Sequence, residues 1–139
     1  MAFPKAVTKP VDAALAVAVE KFVQHVRDLV DTYYKRQLPN LVAAGLVPTH
    51  EADFMSDKWV RIMVCETYND GVNTPTHKPR SVYGFVCLQD YETKTLGKLK
   101  AGDIHKAATW KAPAKHKRGS VLDEATWTCA QPHGIIYLK

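Results

Sequence analysis

Between Lys94 and Arg118 the chain carries eight lysines and arginines (Lys94, Lys98, Lys100, Lys106, Lys111, Lys115, Lys117 and Arg118) and a single acid, Asp103. That window holds a charge of +7 in a chain of net +5, so the remainder carries −2. Basicity gathered in one stretch points to an anion site more than to general solubility. Lysine supplies point charge for phosphate, and arginine a planar fork that binds it bidentately. Trp110 stands among these cations and offers a face on which a base can stack. Pro113 stiffens the stretch, and Gly119 frees the backbone beside Arg118. The competing expectation is a solvated basic loop with Trp110 in the core, where tryptophan usually lies.

A second constellation is Arg80-Ser81-Val82-Tyr83-Gly84-Phe85. Strand periodicity places Tyr83 and Phe85 on one face with Gly84 between them. A glycine within a strand marks close approach of a ligand or of another backbone. On an exposed sheet face the two rings would sandwich a base; on a buried one they are core.

Catalytic templates fit poorly. Six histidines (His25, His50, His77, His105, His116 and His133) include no HxH or HExxH pair, which argues against zinc and leaves no metal ligands to name. His105 and His116 sit in the basic window as candidate acid–base groups for phosphoryl chemistry, but no motif surrounds them. The acids Glu51, Asp53, Asp57 and Asp70 are expected in loops and show no pairing pattern. Phosphate-loop, dinucleotide and nucleophile-elbow motifs are missing from the sequence. Binding without turnover and without a cofactor is therefore the expectation.

The elements that must position these residues follow from the apolar pattern. At 139 residues, 46% apolar and 24% charged, the composition is that of one globular domain. Residues 1–10 hold Pro4 and Pro10 without periodicity and are expected to form a mobile arm, with one α+β domain over 11–139. Leu15, Val19, Phe22, Val26, Leu29, Val30 and Tyr33 recur at steps of three and four. They predict a helix from Asp12, which caps it or offsets the dipole of its first turn, to about Gln37, before Pro39. A helix that long is expected to turn part of its stripe to another subunit. Leu41 to Leu46 adds a helical turn before Pro48.

From Lys58 the period becomes two. Trp59, Arg61, Met63 and Cys65 alternate with Val60, Ile62, Val64 and Glu66, which predicts a strand. Asn69 to Pro79 reads as a loop, Ser81 to Leu88 as a second strand, and Tyr91 to Lys100 as a loop or hairpin. Ile104 to Trp110 reads as a short strand. Pro113 to Gly119 cannot be a regular central strand, since proline lacks a donor. A last strand is expected over Gly134 to Leu138. The fold class is thus α+β, a long N-terminal helix on a small, mostly antiparallel sheet. Cys65, Cys87 and Cys129 are an odd, widely spaced set that reads as buried free thiols in a reducing compartment. No run reaches the length of a membrane span.

Over Lys58 to Leu138 the pattern resembles a small family of bacteriophage proteins. It is carried by Lys58-Trp59-Val60-Arg61-Ile62, Arg80-Ser81-Val82-Tyr83-Gly84-Phe85-Val86, the whole run from Gly102 to Gly119 with Lys111-Ala112-Pro113-Ala114-Lys115-His116 at its centre, and Gly134-Ile135-Ile136-Tyr137-Leu138. The family is the first class of anti-Thoeris proteins, which sequester cyclic nucleotide messengers made by bacterial TIR-domain immunity. The resemblance implies a homodimer or larger homo-oligomer in the cytoplasm of an infected bacterium. Its pocket would lie at a subunit boundary and hold a cyclic ADP-ribose isomer or a cyclic oligonucleotide. It implies Phe85 as the stacking ring, Arg118 as the phosphate clamp and Asp103 as an acceptor for base or ribose. Tyr83, Lys106, Trp110, Lys111, Lys115 and Arg61 complete the expected ligand-binding set. The sequence departs from the family at Lys117, where the family has alanine, and in a longer Tyr91–Leu99 stretch. The alternatives are a single-stranded nucleic-acid-binding protein and, behind it, a nucleotide-processing enzyme.

Overall fold

The computed structural model describes residues 13–68, 72 and 76–136, with backbone only for Tyr68 and His77. The arm expected over 1–10, the cap Asp12 and the end of the last expected strand lie outside the described residues.

Helix α1 spans Ala13–Gln37. Leu15, Val19, Phe22, Val23, Val26 and Val30 form its buried stripe, at the three- and four-residue steps that put side chains on one helix face. Lys35 and Arg36 lie in its last turn, where cations offset the helix dipole. Pro39 opens the short α2, Pro39–Ala43. That turn closes at Gly45 (φ 72°), where Gly45 N–H donates to the Val42 carbonyl and Leu46 N–H to the Leu41 carbonyl. This is the glycine-dependent pair of bonds that satisfies a helix's last carbonyls.

Five strands form one antiparallel sheet in the order β1-β2-β3-β6-β7. They are β1 Thr49–Asp53, β2 Trp59–Tyr68, β3 Thr76–Cys87, β6 Asp103–Ala107 and β7 Pro113–Ser120. Between β3 and β6 lies a small hairpin, β4 Tyr91–Thr93 with β5 Gly97–Leu99. After β7 come a 3-10 turn over Glu124–Cys129 and the hairpin β8 Ala130–Gln131 with β9 Gly134–Ile135. The fold is α+β, and every strand pair is antiparallel.

α1 packs on one face of the sheet, the inner face. Its stripe meets Val60, Ile62, Tyr83, Val86 and Ile104 there, and Trp127, Cys129, Ala130 and Ile135 close the end of this core. A second, smaller core lies on the outer face, where Trp59, Phe85, Cys87 and Leu99 pack with Leu96, Tyr91 and Ala107. The β4–β5 hairpin is therefore a cover for the outer face. Cys65, Cys87 and Cys129 are free and buried. No described helix is long and apolar enough to cross a membrane.

Sequence expectations change at β1, which takes Glu51 and Asp53 out of the loops expected for them, and twice in β3. β3 begins at Thr76, inside the stretch read as a loop. Pro79 is tolerated because pairing with β2 shifts register between Val64 and Cys65, where a missing donor disturbs the ladder least. Likewise, Tyr83 and Phe85 do not share a face. Pairing shifts again between Ile62 and Met63, whose partners are Gly84 and Val82, so Tyr83 is the extra residue of a bulge. The bulge turns Tyr83 into the inner core and leaves Phe85 in the outer one.

Candidate functional site

A row of register partners crosses all five strands: Asp53 with Arg61, Arg61 with Phe85, Phe85 with His105, and His105 with Lys117. The loop joining β6 to β7 folds back over this row. Arg61 Nη1 donates to the Trp110 carbonyl at 2.7 Å, and the His105 Nδ1 atom lies 2.7 Å from the Ala114 carbonyl. β3 lies between β6 and β2, so the tip of this hairpin reaches across β3 to be held. Phe85, beneath it, is 0% exposed.

The rings offered by sequence for stacking are accordingly core rings. Phe85 meets Trp59 edge to face at 6.2 Å. Tyr83, 3% exposed, packs on His50 and donates its hydroxyl to the Gln131 carbonyl at 2.5 Å. Burial pushes the Tyr83 phenol well above its ordinary range. Gly84 answers to a backbone rather than a ligand: a Cβ there would stand 2.9 Å from the His105 carbonyl.

Trp110 takes the opposite course. It is 48% exposed at the hairpin tip, while Trp59 and Trp127 are buried. Its loop is internally ordered. The Ala108 and Thr109 amides donate to the Ala112 carbonyl, and the Thr109 hydroxyl oxygen accepts from the Lys111 and Ala112 amides at 3.1 Å. Lys111, Lys115, His116 and Lys117 are exposed along the same hairpin. Lys94, Lys98 and Lys100 are exposed on or beside the β4–β5 hairpin. Leu96 and Leu99 from one hairpin and Ala107 from the other enter a single apolar cluster, so both basic hairpins cover the outer face.

The remaining cations part company. Lys106 Nζ donates to the Ile135 carbonyl at 2.8 Å. Arg118 Nε donates to the Ile136 carbonyl at 3.2 Å, and its Nη1 to the His116 carbonyl. Both therefore turn to the β9 segment, away from Trp110. Asp103 is buried, accepts from the Lys100 amide at 3.0 Å and lies 3.6 Å from Lys117 Nζ. Arg61 is held by Asp53 at 2.7 Å. The nine expected ligand residues thus fall into separate groups, and only Trp110, Lys111 and Lys115 share an open surface.

His105 is 1% exposed against the Trp59 indole. Burial lowers its pKa, opposed by the Ala114 carbonyl. A carbonyl only accepts, so Nδ1 carries the proton and Nε2 is a buried lone pair without a partner among the described residues. Such a ring braces the hairpin and does not reach an external ligand. Hollows of about 190–420 Å³ lie beside α1 and along β2–β3, and none of them is lined by a residue of the basic window.

Sequence reasoning missed Asp53 as a structural partner. Its strand, Thr-His-Glu-Ala-Asp, has one apolar residue in five, too little for the alternation that marks a strand.

An α+β protein with a two-sided sheet and a lysine-rich, tryptophan-tipped outer face is the class this geometry defines. The chain belongs to a family of unknown function, DUF7717, whose model matches residues 6–131. No curated protein and no solved structure matches it.

Proposed function

We propose that this chain binds, without turnover, a phosphate-bearing ligand with a flat base, on the outer-face hairpins around Trp110. The observation that carries this is the exposed indole: it sits on an ordered tip, flanked by Lys111 and the exposed cations of β7. Lysines supply charge to phosphates, while an indole face accepts any base. An ordered loop loses less entropy on binding.

Single-stranded nucleic acid is the ligand this open surface suits best. Its phosphates would track the lysines of both hairpins while a base stacks on Trp110. A cyclic nucleotide messenger, the ligand implied by the family resemblance, is the second reading. Arg118 stays partly exposed, which favours it, but Phe85 is sealed. A second copy of the chain would then have to enclose the ligand.

One titration separates the two. Wild-type protein is mixed with a labelled 12-nucleotide deoxythymidine strand and, separately, with cyclic ADP-ribose isomers. The strand should bind, and Trp110→Ala should weaken it roughly 5- to 150-fold, the worth of one stacked base. Tight retention of an intact cyclic nucleotide, released on heating, would establish the second reading instead. Retention of neither overturns the proposal.

A further inference from the structure

We infer that Asp53 and Arg61 are positioning residues that hold the Trp110 tip ready for its ligand; the inference rests on the binding reading above. Arg61 spends its planar fork in two directions, Nη2 on the Asp53 carboxylate and Nη1 on the Trp110 carbonyl, each at 2.7 Å. Its side chain is mostly buried, and that of Asp53 is 5% exposed. A guanidinium this enclosed requires a counter-charge, which Asp53 supplies from the neighbouring strand. The chain of contacts therefore runs from β1 through β2 to the tip of a hairpin that belongs to the far edge of the sheet.

Within its own hairpin the tip has only local support, the turn bonds of residues 108–112. His105 secures the return strand at Ala114, and Arg61 secures the tip at Trp110. Between these two clips lie Lys111, Ala112 and Pro113. Fixing the carbonyl of Trp110 fixes the plane of its peptide and with it the range open to the indole. Arg61 in this role does not touch phosphate. Lysine can replace it only in part, since one ammonium keeps the charge but lacks a fork that faces both partners in fixed geometry.

Arg61→Met, Arg61→Lys and Asp53→Asn are compared with the whole wild-type chain by amide hydrogen exchange, iodide quenching of tryptophan fluorescence, and binding of the 12-nucleotide strand across a salt series. Trp110 is the exposed indole of the three, so quenching reports chiefly on it. Exchange over residues 108–112 should quicken roughly tenfold in Arg61→Met while that of β2–β3 amides holds. Affinity should fall roughly tenfold with the salt slope unchanged. Arg61→Lys should fall between, and it keeps the buried charge should the methionine variant fail to fold. Exchange as slow as wild type at 108–112 overturns the clip. A salt slope smaller by one phosphate contact overturns the positioning role, because Arg61 would then be a direct ligand residue. If wild type binds no probe, the binding reading and the role given to Trp110 fall together, while exchange still decides whether Arg61 orders the tip.

Discussion

His50 puts an imidazole in the inner core, edge-on to Tyr83 with ring centroids 5.3 Å apart and Nδ1 without a partner among the described residues. Burial, and then the positive charge of Arg27, lowers its pKa from 6.5 to about 4. The unfolded imidazole takes its proton near pH 6.5, the folded one only near 4. Between these values the unfolded chain binds more protons, so stability is whole above the upper value and falls as pH drops toward the lower one. The loss is on the order of 3 kcal/mol. His105, also lowered by burial, adds to the fall in the same direction. Urea midpoints should therefore drop steeply between pH 6.5 and 4, and the drop should be shallower in His50→Leu. Equal pH profiles for the two proteins would clear His50 of the effect. At this scale the sequence was least legible. Whether a histidine, Tyr83 or Trp110 is covered depends on elements far along the chain, and no local pattern encodes that cover.

The strands show where periodicity stops being a guide. α1 is plain because twenty-five residues repeat one stripe, and β2 because Trp59 enters the outer core while Val60, Ile62 and Val64 turn to the inner one at steps of two. β3 alternates only until its bulge at Tyr83, which exists in the pairing with β2 and not in β3 alone. Gly84, next to the bulge, lets β6 and β9 come close. An added Cβ would meet the His105 carbonyl at 2.9 Å and Ile135 Cγ1 at 3.1 Å. A backbone carbonyl inside a ladder has little freedom to retreat, so Gly84→Ala should cost about 1–3 kcal/mol. Chemical denaturation measures the loss. Because His105 faces the outer side and its carbonyl the close contact, the same variant should also loosen the bond from His105 to Ala114, visible as faster exchange around Ala114. Unchanged stability would mean that β6 shifts freely against β3, contrary to the registered pairs Phe85–His105 and Val86–Ile104.

For the whole molecule, the question is whether two hairpins separated in sequence act as one electrostatic surface. Their apolar residues share the outer core, with Leu96 and Leu99 from β4–β5 and Ala107 from β6. Their lysines are thereby carried on covers of one sheet face, while α1 occupies the other. A ligand tracking that face would neutralise charge from both hairpins, releasing counterions from each, and the logarithm of affinity for a single strand falls with the logarithm of salt by about 0.7 per phosphate contact. Two triple variants divide the surface: Lys94, Lys98 and Lys100 to glutamine, and Lys111, Lys115 and Lys117 to glutamine. Each should weaken binding of the 12-nucleotide strand and flatten its salt dependence, by as much as about 2 in slope if all three lysines contact phosphate. Their combination should leave little salt dependence at all. A first variant with wild-type affinity and slope would confine the site to the Trp110 hairpin. The lysines of β4–β5 would then be solvation for a structural cover.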